Sequence, residues 1–182
     1  MAKVDNNILV RGLSGSLGKQ LVLKRGRNGT IVSKFPTFDE NRTFSDAQVK
    51  EQSKFREAVE YAKVAKELEF YKEKAKIANR LPYHVAISDF SNPPEIREVD
   101  ISAWNGQAGQ VIRVLAVDDV MVTQVMVAIL DDAGTVLVAG EAVQGGDAWW
   151  HYVTTTAVES GARIVVTARD MPGNTVQSTW ND

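Results

Sequence analysis

Along the 182-residue chain the spacing of apolar positions changes twice, dividing it into three segments. In residues 1–38 the apolar runs are short and extended: a strand is expected near Asn7–Leu13, followed by a glycine-rich stretch and a hairpin over Leu17–Lys34. Leu21-Val22-Leu23 and Thr30-Ile31-Val32 flank Asn28-Gly29, a pair that accepts the positive φ angles of a two-residue hairpin turn. A two-stranded hairpin is marginal in water, so this one must pack on the rest of its chain or on another subunit.

Between residues 44 and 91 the period becomes helical. Val49, Phe55, Val59 and Ala62 form an i, i+3/i+4 stripe, continued by Leu68, Tyr71, Ala75 and Ala78. Ser45 with Gln48 has the spacing of a capping box. The stripe drifts in phase near Lys66–Phe70, which predicts a break into two helices. Pro82 suits the first turn of a third helix over Pro82–Phe90, and Asn92-Pro93-Pro94 ends it.

From residue 95 onward the pattern is β again. Seven β-branched runs, from EIREVDIS to TVQSTW, recur about every dozen residues. They are separated by Asn105-Gly106, Asp132-Ala133-Gly134, Gly145-Gly146-Asp147 and Pro172-Gly173-Asn174, the punctuation of a β-sandwich. The predicted class is α+β: a basic β-hairpin arm (1–38), a helical region (39–94) and a seven-stranded immunoglobulin-like sandwich (95–182).

Charge sharpens this division. Residues 1–95 carry 17 Lys/Arg against 12 Asp/Glu, whereas residues 96–182 carry 4 against 11. Such asymmetry implies an anionic partner for the first half or attraction between neighbouring copies. There is no cysteine, which removes disulfide frameworks and thiolate metal sites. The opening residues MAKVDNNILVRG contain no apolar signal region, and no run approaches the ~18 apolar residues of a membrane span. Synthesis in the cytoplasm and no membrane insertion are expected; the final location is left open.

The stretch RGLSGSLGKQ, residues 11–20, resembles a phosphate-binding loop but fails on spacing. That loop needs Gly-x4-Gly-Lys-Ser/Thr, and here Gly12 and Gly18 enclose five residues while Gln20 stands in place of the hydroxyl. A strand follows it rather than a helix, so there is no helix N-terminus to bind an anion. Gly12, Gly15 and Gly18 instead suit a tight, close-packed lead into a strand.

The C-terminal segment resembles bacterial immunoglobulin-like modules. The resemblance is carried by VLAVDDVMVTQVMVAILDDAGTV, by ARIVVTARDMPGNTV, and by Trp149-Trp150 with Tyr152, which fit the aromatics packed between the sheets of such domains. It covers about half the chain and implies a fold rather than an activity. The segment LSGSLGKQLVLKRGRNGTIVSKFP, followed by SDAQVKEQSKFREAVEYA, resembles the start of small uncharacterised bacterial proteins in which a glycine-led basic hairpin precedes a helix. That resemblance implies a subunit of a larger assembly and brings no catalytic residues.

Candidate chemistry is sparse. His84 and His151 have no companion at metal-ligand spacing, and no nucleophile elbow is present. Asp118, Asp119, Asp131, Asp132, Asp170 and Asn174 fall at sandwich loops, where they serve backbone turns or bind calcium. The helical Glu60, Glu67, Glu69 and Glu73 stand among lysines, as salt-bridging faces do. No cofactor, metal, catalytic residue or small-molecule substrate is expected. The expected function is a non-enzymatic structural protein that self-assembles into a filament, sheath or phage-like particle, with a homo-oligomer or polymer as the partner. Its assembly contacts are Gly12, Gly15, Gly18, Lys19, Lys24, Arg25, Arg27, Asn28, Gly29 and Lys34. The alternative is a binding module in which the sandwich holds a protein or glycan, or the basic arm binds nucleic acid; the arm lacks interleaved aromatics, which disfavours nucleic acid.

Overall fold

The computed structural model describes residues 2–4, 10, 12–26, 29–38, 41–158 and 161–181, and the chain forms two compact units, Met1–Ser45 and Asp46–Asp182.

The first unit is a four-stranded antiparallel sheet of β1 (Ala2–Val4), β2 (Gly15–Leu17), β3 (Leu21–Gly26) and β4 (Gly29–Lys34), in the order β1-β4-β3-β2. The expected β3–β4 hairpin is present, but Gly26 pairs with Gly29, so Gly29 belongs to β4 and not to the turn expected of Asn28-Gly29; residues 27 and 28 lie outside the described residues. The strand expected near Asn7–Leu13 is not formed over its described part. Val10 and Gly12 lie in turns, Leu13 donates its N–H to the Val10 carbonyl at 3.3 Å, and the φ of +81° at Gly12 breaks the extension. The described strand comes earlier, at Ala2–Val4.

The second unit begins with α1 (Asp46–Ala65), α2 (Glu69–Ile77) and α3 (Pro82–Ser91). The break falls at Lys66–Leu68, and Pro82 opens α3, where a missing N–H costs no hydrogen bond. The buried face of α1 differs from the expected stripe. Ala58, Ala62 and Ala65 are buried, whereas Val49 and Phe55 are exposed, as is Leu68 after the helix. The first three turns of α1 leave every residue exposed, and Phe55 there borders an open groove with Tyr83, His84 and Ile87 of α3 without entering a core. Only small alanines allow the close approach of α1 to its neighbours, around a second core of Ala62, Ala65, Tyr71, Ala75, Val85, Ala86 and Val120. Lys54 donates from Nζ to the Ser91 carbonyl at 2.9 Å, placing a cation at the negative end of α3.

The sandwich has eight strands rather than seven: β5 (Glu95–Asp100), β6 (Val111–Val117), β7 (Val122–Leu130), β8 (Val136–Glu141), β9 (Val143–Gln144), β10 (Trp149–Val153), β11 (Arg163–Asp170) and β12 (Thr175–Asn181). The run TVLVAGEAV supplies two of them, because the chain crosses between sheets at Ala142, which is buried and donates its N–H to the Val125 carbonyl. The sheets are β5-β6-β10-β9 and β12-β11-β7-β8, all neighbours antiparallel. Lettered A to G in chain order, with β8 as C′, this is the A-B-E-D and G-F-C-C′ arrangement of immunoglobulin domains.

Period-2 alternation sends Ile112, Val114 and Ala116, Val125, Val127 and Ile129, and Ile164, Val166 and Ala168 into the space between the sheets. Trp150 and Tyr152 point inward as expected, while Trp149 faces outward beneath the Arg113 guanidinium, 4.5 Å from the ring centroid. Tyr152 reaches the opposite sheet over Gly140, where a Cβ would stand 2.7 Å from the tyrosine ring.

Candidate functional site

Two features outside the sandwich core carry candidate function. The first is the N-terminal sheet. Residues directly opposite across its strands share a face. Because Leu17 pairs with Leu21, Leu23 with Val32, Arg25 with Thr30, and Leu21 with Lys34, one face carries leucines with Arg25 and Lys34 at its ends. Leu17 and Leu21 keep 54% and 44% of their surface exposed, while Leu23 and Thr30 are buried. The other face carries Ser16, Val22, Lys24, Ile31 and Ser33.

The basic residues named from sequence therefore do not line a single face. Lys24 opposes Arg25 and Lys34, and Lys19 occupies the turn before β3. Gly18 and Lys19 both have φ of 55°, the signature of a tight hairpin turn closed by Gln20 N–H to Leu17 O at 3.0 Å. Gly12, Gly15 and Gly29 also have positive φ. The close packing expected of Gly12, Gly15 and Gly18 is absent, since a Cβ at any of them would meet nothing within 4 Å. Within the chain these glycines serve backbone conformation.

The second feature lies at the start of β7 and the end of β11, where two turns of the sandwich meet α3. Asp118 Oδ2 accepts the N–H groups of Val120 and Met121, each at 3.0 Å. Asp170 Oδ1 accepts those of Gly173 and Asn174 at 2.8 and 2.6 Å. The Asn174 amide donates to Asp170 Oδ2 at 2.7 Å and to the carbonyls of Asp89 and Phe90, which end α3. Asp119 Oδ2 accepts from Ser88 Oγ on the same helix and from Nδ2 of Asn92, which follows it. Thus four of the six loop residues named from sequence gather around one helix end, each acidic one engaged by backbone or side-chain donors. Asp131 instead caps the turn beyond β7, accepting from Thr135 N–H at 2.7 Å. It lines a cavity of about 390 Å³ with Asp132, Leu137 and Val158.

Sequence reasoning missed the residue at the centre of the first group. Asp89, in the last turn of α3, has no exposed surface. Its Oδ2 accepts the hydroxyl of fully buried Tyr71. A tyrosine has one proton to give, so Tyr61, with its hydroxyl 2.8 Å away, donates to Tyr71 in turn. The remaining oxygen, Asp89 Oδ1, is buried without a donor, as is Asp118 Oδ1, and the two side chains are within hydrogen-bond reach of each other. Two carboxylates have no hydrogen to share; one proton between them satisfies both.

Burial first, and then the Asp118 and Asp170 carboxylates, push Asp89 up to about 7 against the pull of the Tyr71 hydroxyl. The negative end of α3 also disfavours an anion there. Burial likewise raises Asp170, Tyr61 and, most strongly, Tyr71. The group is a proton-holding clamp between helices and sandwich. The signal in the sequence was an acid in an otherwise apolar helix, Val85-Ala86-Ile87-Ser88-Asp89-Phe90.

His84, exposed on α3, and His151, on β10, lie apart on different elements. Among the described residues no group of three or more His, Asp or Glu is arranged to hold a metal, and no helix is long and apolar enough to cross a membrane.

No family model matches the chain, and no curated protein matches it. Among solved structures, it is similar to CopC from Methylosinus trichosporium OB3b, with 15% identity over 48% of this chain and 89% of that one, at a TM-score of 0.37. It is also similar to an engineered protein, with 21% identity over 50% of this chain and a TM-score of 0.37; the match spans 19% of that longer protein.

Proposed function

We propose that this protein is a non-enzymatic structural subunit that assembles with copies of itself through its N-terminal sheet. The observation that carries the reading is the leucine face of that sheet. Leu17 and Leu21 stand opposite one another and exposed, beside Arg25 and Lys34, on a sheet whose described apolar side chains include a single buried one, Leu23. A sheet of three- to six-residue strands with so little burial gains its stability by covering that face. The excess of base in residues 1–95 and of acid in residues 96–182 favours a head-to-tail contact between copies, which forms a filament when it does not close into a ring.

Sedimentation at rising concentration tests this. Assembly that is lost when Leu17 and Leu21 are both changed to Ser, with the sandwich still folded, supports the reading; a monomer at every concentration and salt overturns it.

A further inference from the structure

The helices and the sandwich keep separate cores. The buried core between the sheets takes no residue from a helix, and the helical core takes one from the sandwich side, Val120 in the turn before β7. Hydrogen bonds join the two at the end of α3. Asn174 donates to the Asp89 and Phe90 carbonyls, and Asp119 accepts from Ser88 and Asn92. Among these bonds, Asp89 of the helix and Asp118 of the sandwich turn meet through buried oxygens that no donor reaches.

This contact changes sign with one proton. Protonated Asp89 donates to the Asp118 carboxylate, a charge-assisted hydrogen bond that ties helix to sandwich. Without the proton, two carboxylates lie within hydrogen-bond reach at a residue with no exposed surface, and Asp170 is close enough to add a third charge. The neighbours on each side offer no relief. Tyr71 of α2 already gives its proton to Asp89 Oδ2, and Tyr61 of α1 stands behind Tyr71. Asp118 and Asp119 come from the β6–β7 turn, and Asp170 from the end of β11. Lys54 is engaged at the Ser91 carbonyl, Arg169 lies beside Gly173, and neither donates to Asp89 Oδ1.

We propose that this cluster is a pH-operated latch, in which loss of the proton between Asp89 and Asp118 releases the helices from the sandwich while the sandwich stays folded. The sandwich keeps its own core after release, and α3, a helix of 10 residues, is marginal in water once its cover is gone. Burial and the neighbouring carboxylates push Asp89 up to about 7, so release sets in as pH rises past neutrality. The closed form binds the proton more tightly than the open one, so each pH unit above that point raises the ratio of open to closed about tenfold. The latch lies within Asp46–Asp182 and acts whether or not copies assemble.

Amide hydrogen exchange of the full chain between pH 6 and 9 tests it, read as protection factors so that the intrinsic rise of exchange with pH drops out. Ala86 and Phe90 in α3 should be protected at least about tenfold less than Val127 and Val166 in the sandwich, and their protection should fall about tenfold per pH unit above 7. In Asp89→Asn, whose amide donates to Asp118 at every pH, the fall should vanish. Asp118→Asn gives an ionised Asp89 a donor and should also remove it, which keeps the test decisive if Asp89→Asn does not fold. One shared protection factor for α3 and the sandwich at each pH overturns the latch. So does protection in α3 that is flat from pH 7 to 9 in the wild-type chain, or a fall that persists in either variant.

Discussion

In the sandwich, Ile112, Val114, Val125, Val127, Ile129, Ile164 and Val166 have no exposed surface, whereas in the N-terminal sheet Leu23 is the one buried apolar side chain among the described residues. Both are antiparallel, both obey the period of two, and both use tight turns with positive φ. What separates them is cover. The sandwich faces its two sheets toward one another and seals one end with α3, so its stability is internal. The N-terminal sheet carries a half-buried leucine face, so its stability depends on what covers that face. Strand pattern alone does not reveal which regime a sheet occupies; the count of side chains it buries does.

The largest effect that sharpens this contrast is expected in the sandwich core. Ile164→Ala removes a fully buried side chain and should cost about 3 kcal/mol by denaturant unfolding. Leu21→Ala should leave the stability of Asp46–Asp182 within about 0.5 kcal/mol, while weakening assembly. Equal losses in that unit's stability from the two changes would break the comparison.

Of similar size is the effect of pH on the α3 clamp. Asp89 holds its proton up to about pH 7 in the folded chain against an ordinary value of 3.8, so folding is favoured by the proton. That contribution is complete below about pH 4 and is lost as pH rises through about 7. At about 1.4 kcal/mol per pKa unit it is on the order of a few kcal/mol. Asp89→Asn supplies an amide donor toward Asp118 and keeps an acceptor for Tyr71. It should therefore flatten the pH dependence between 5 and 8 and melt higher than wild type at pH 8. A carboxyl carbon resonance for Asp89 that titrates near pH 4 would refute the shared proton.

A smaller effect is expected at Gly140. Adding a methyl group as Gly140→Ala places it against the Tyr152 ring and should cost about 1–3 kcal/mol, seen as a lowered melting temperature. The smallest is removal of residues 1–45. The melting temperature of the remaining helices and sandwich should be unchanged to within a degree or two, because among the described residues their cores include none before Tyr61.

Element identity was legible wherever a strong local signal existed. Pro82 and the phase drift near Lys66 located the helix breaks, and Asn28-Gly29 marked the β3–β4 hairpin to within one residue, since Gly29 pairs with Gly26 in the strands. The alternation in Val125, Val127 and Ile129 located the inward face of β7. Burial was less legible. Val49 and Phe55 satisfy the helical period, but both stay exposed, and the residues of α1 that pack are inconspicuous alanines. The sheet crossing at Ala142 has no turn signal, since its buried alanine continues the β-branched run.

The clamp was half visible. Asp118, Asp119, Asp170 and Asn174 were identifiable as loop residues, yet their convergence on α3 depends on long-range packing that no local spacing encodes. Asp89 was marked by an acid in an apolar helix, a signal passed over because its partners Tyr71 and Asp118 lie 18 and 29 positions away.

The central claim, that the N-terminal sheet is completed by another copy, is tested most directly by sedimentation velocity of the full chain across concentration, beside the chain lacking residues 1–45. The account predicts species that grow with concentration for the full chain, shrink as salt screens the charged contacts, and are absent from the shortened chain. A single sharp monomer boundary for the full chain at every concentration would contradict it.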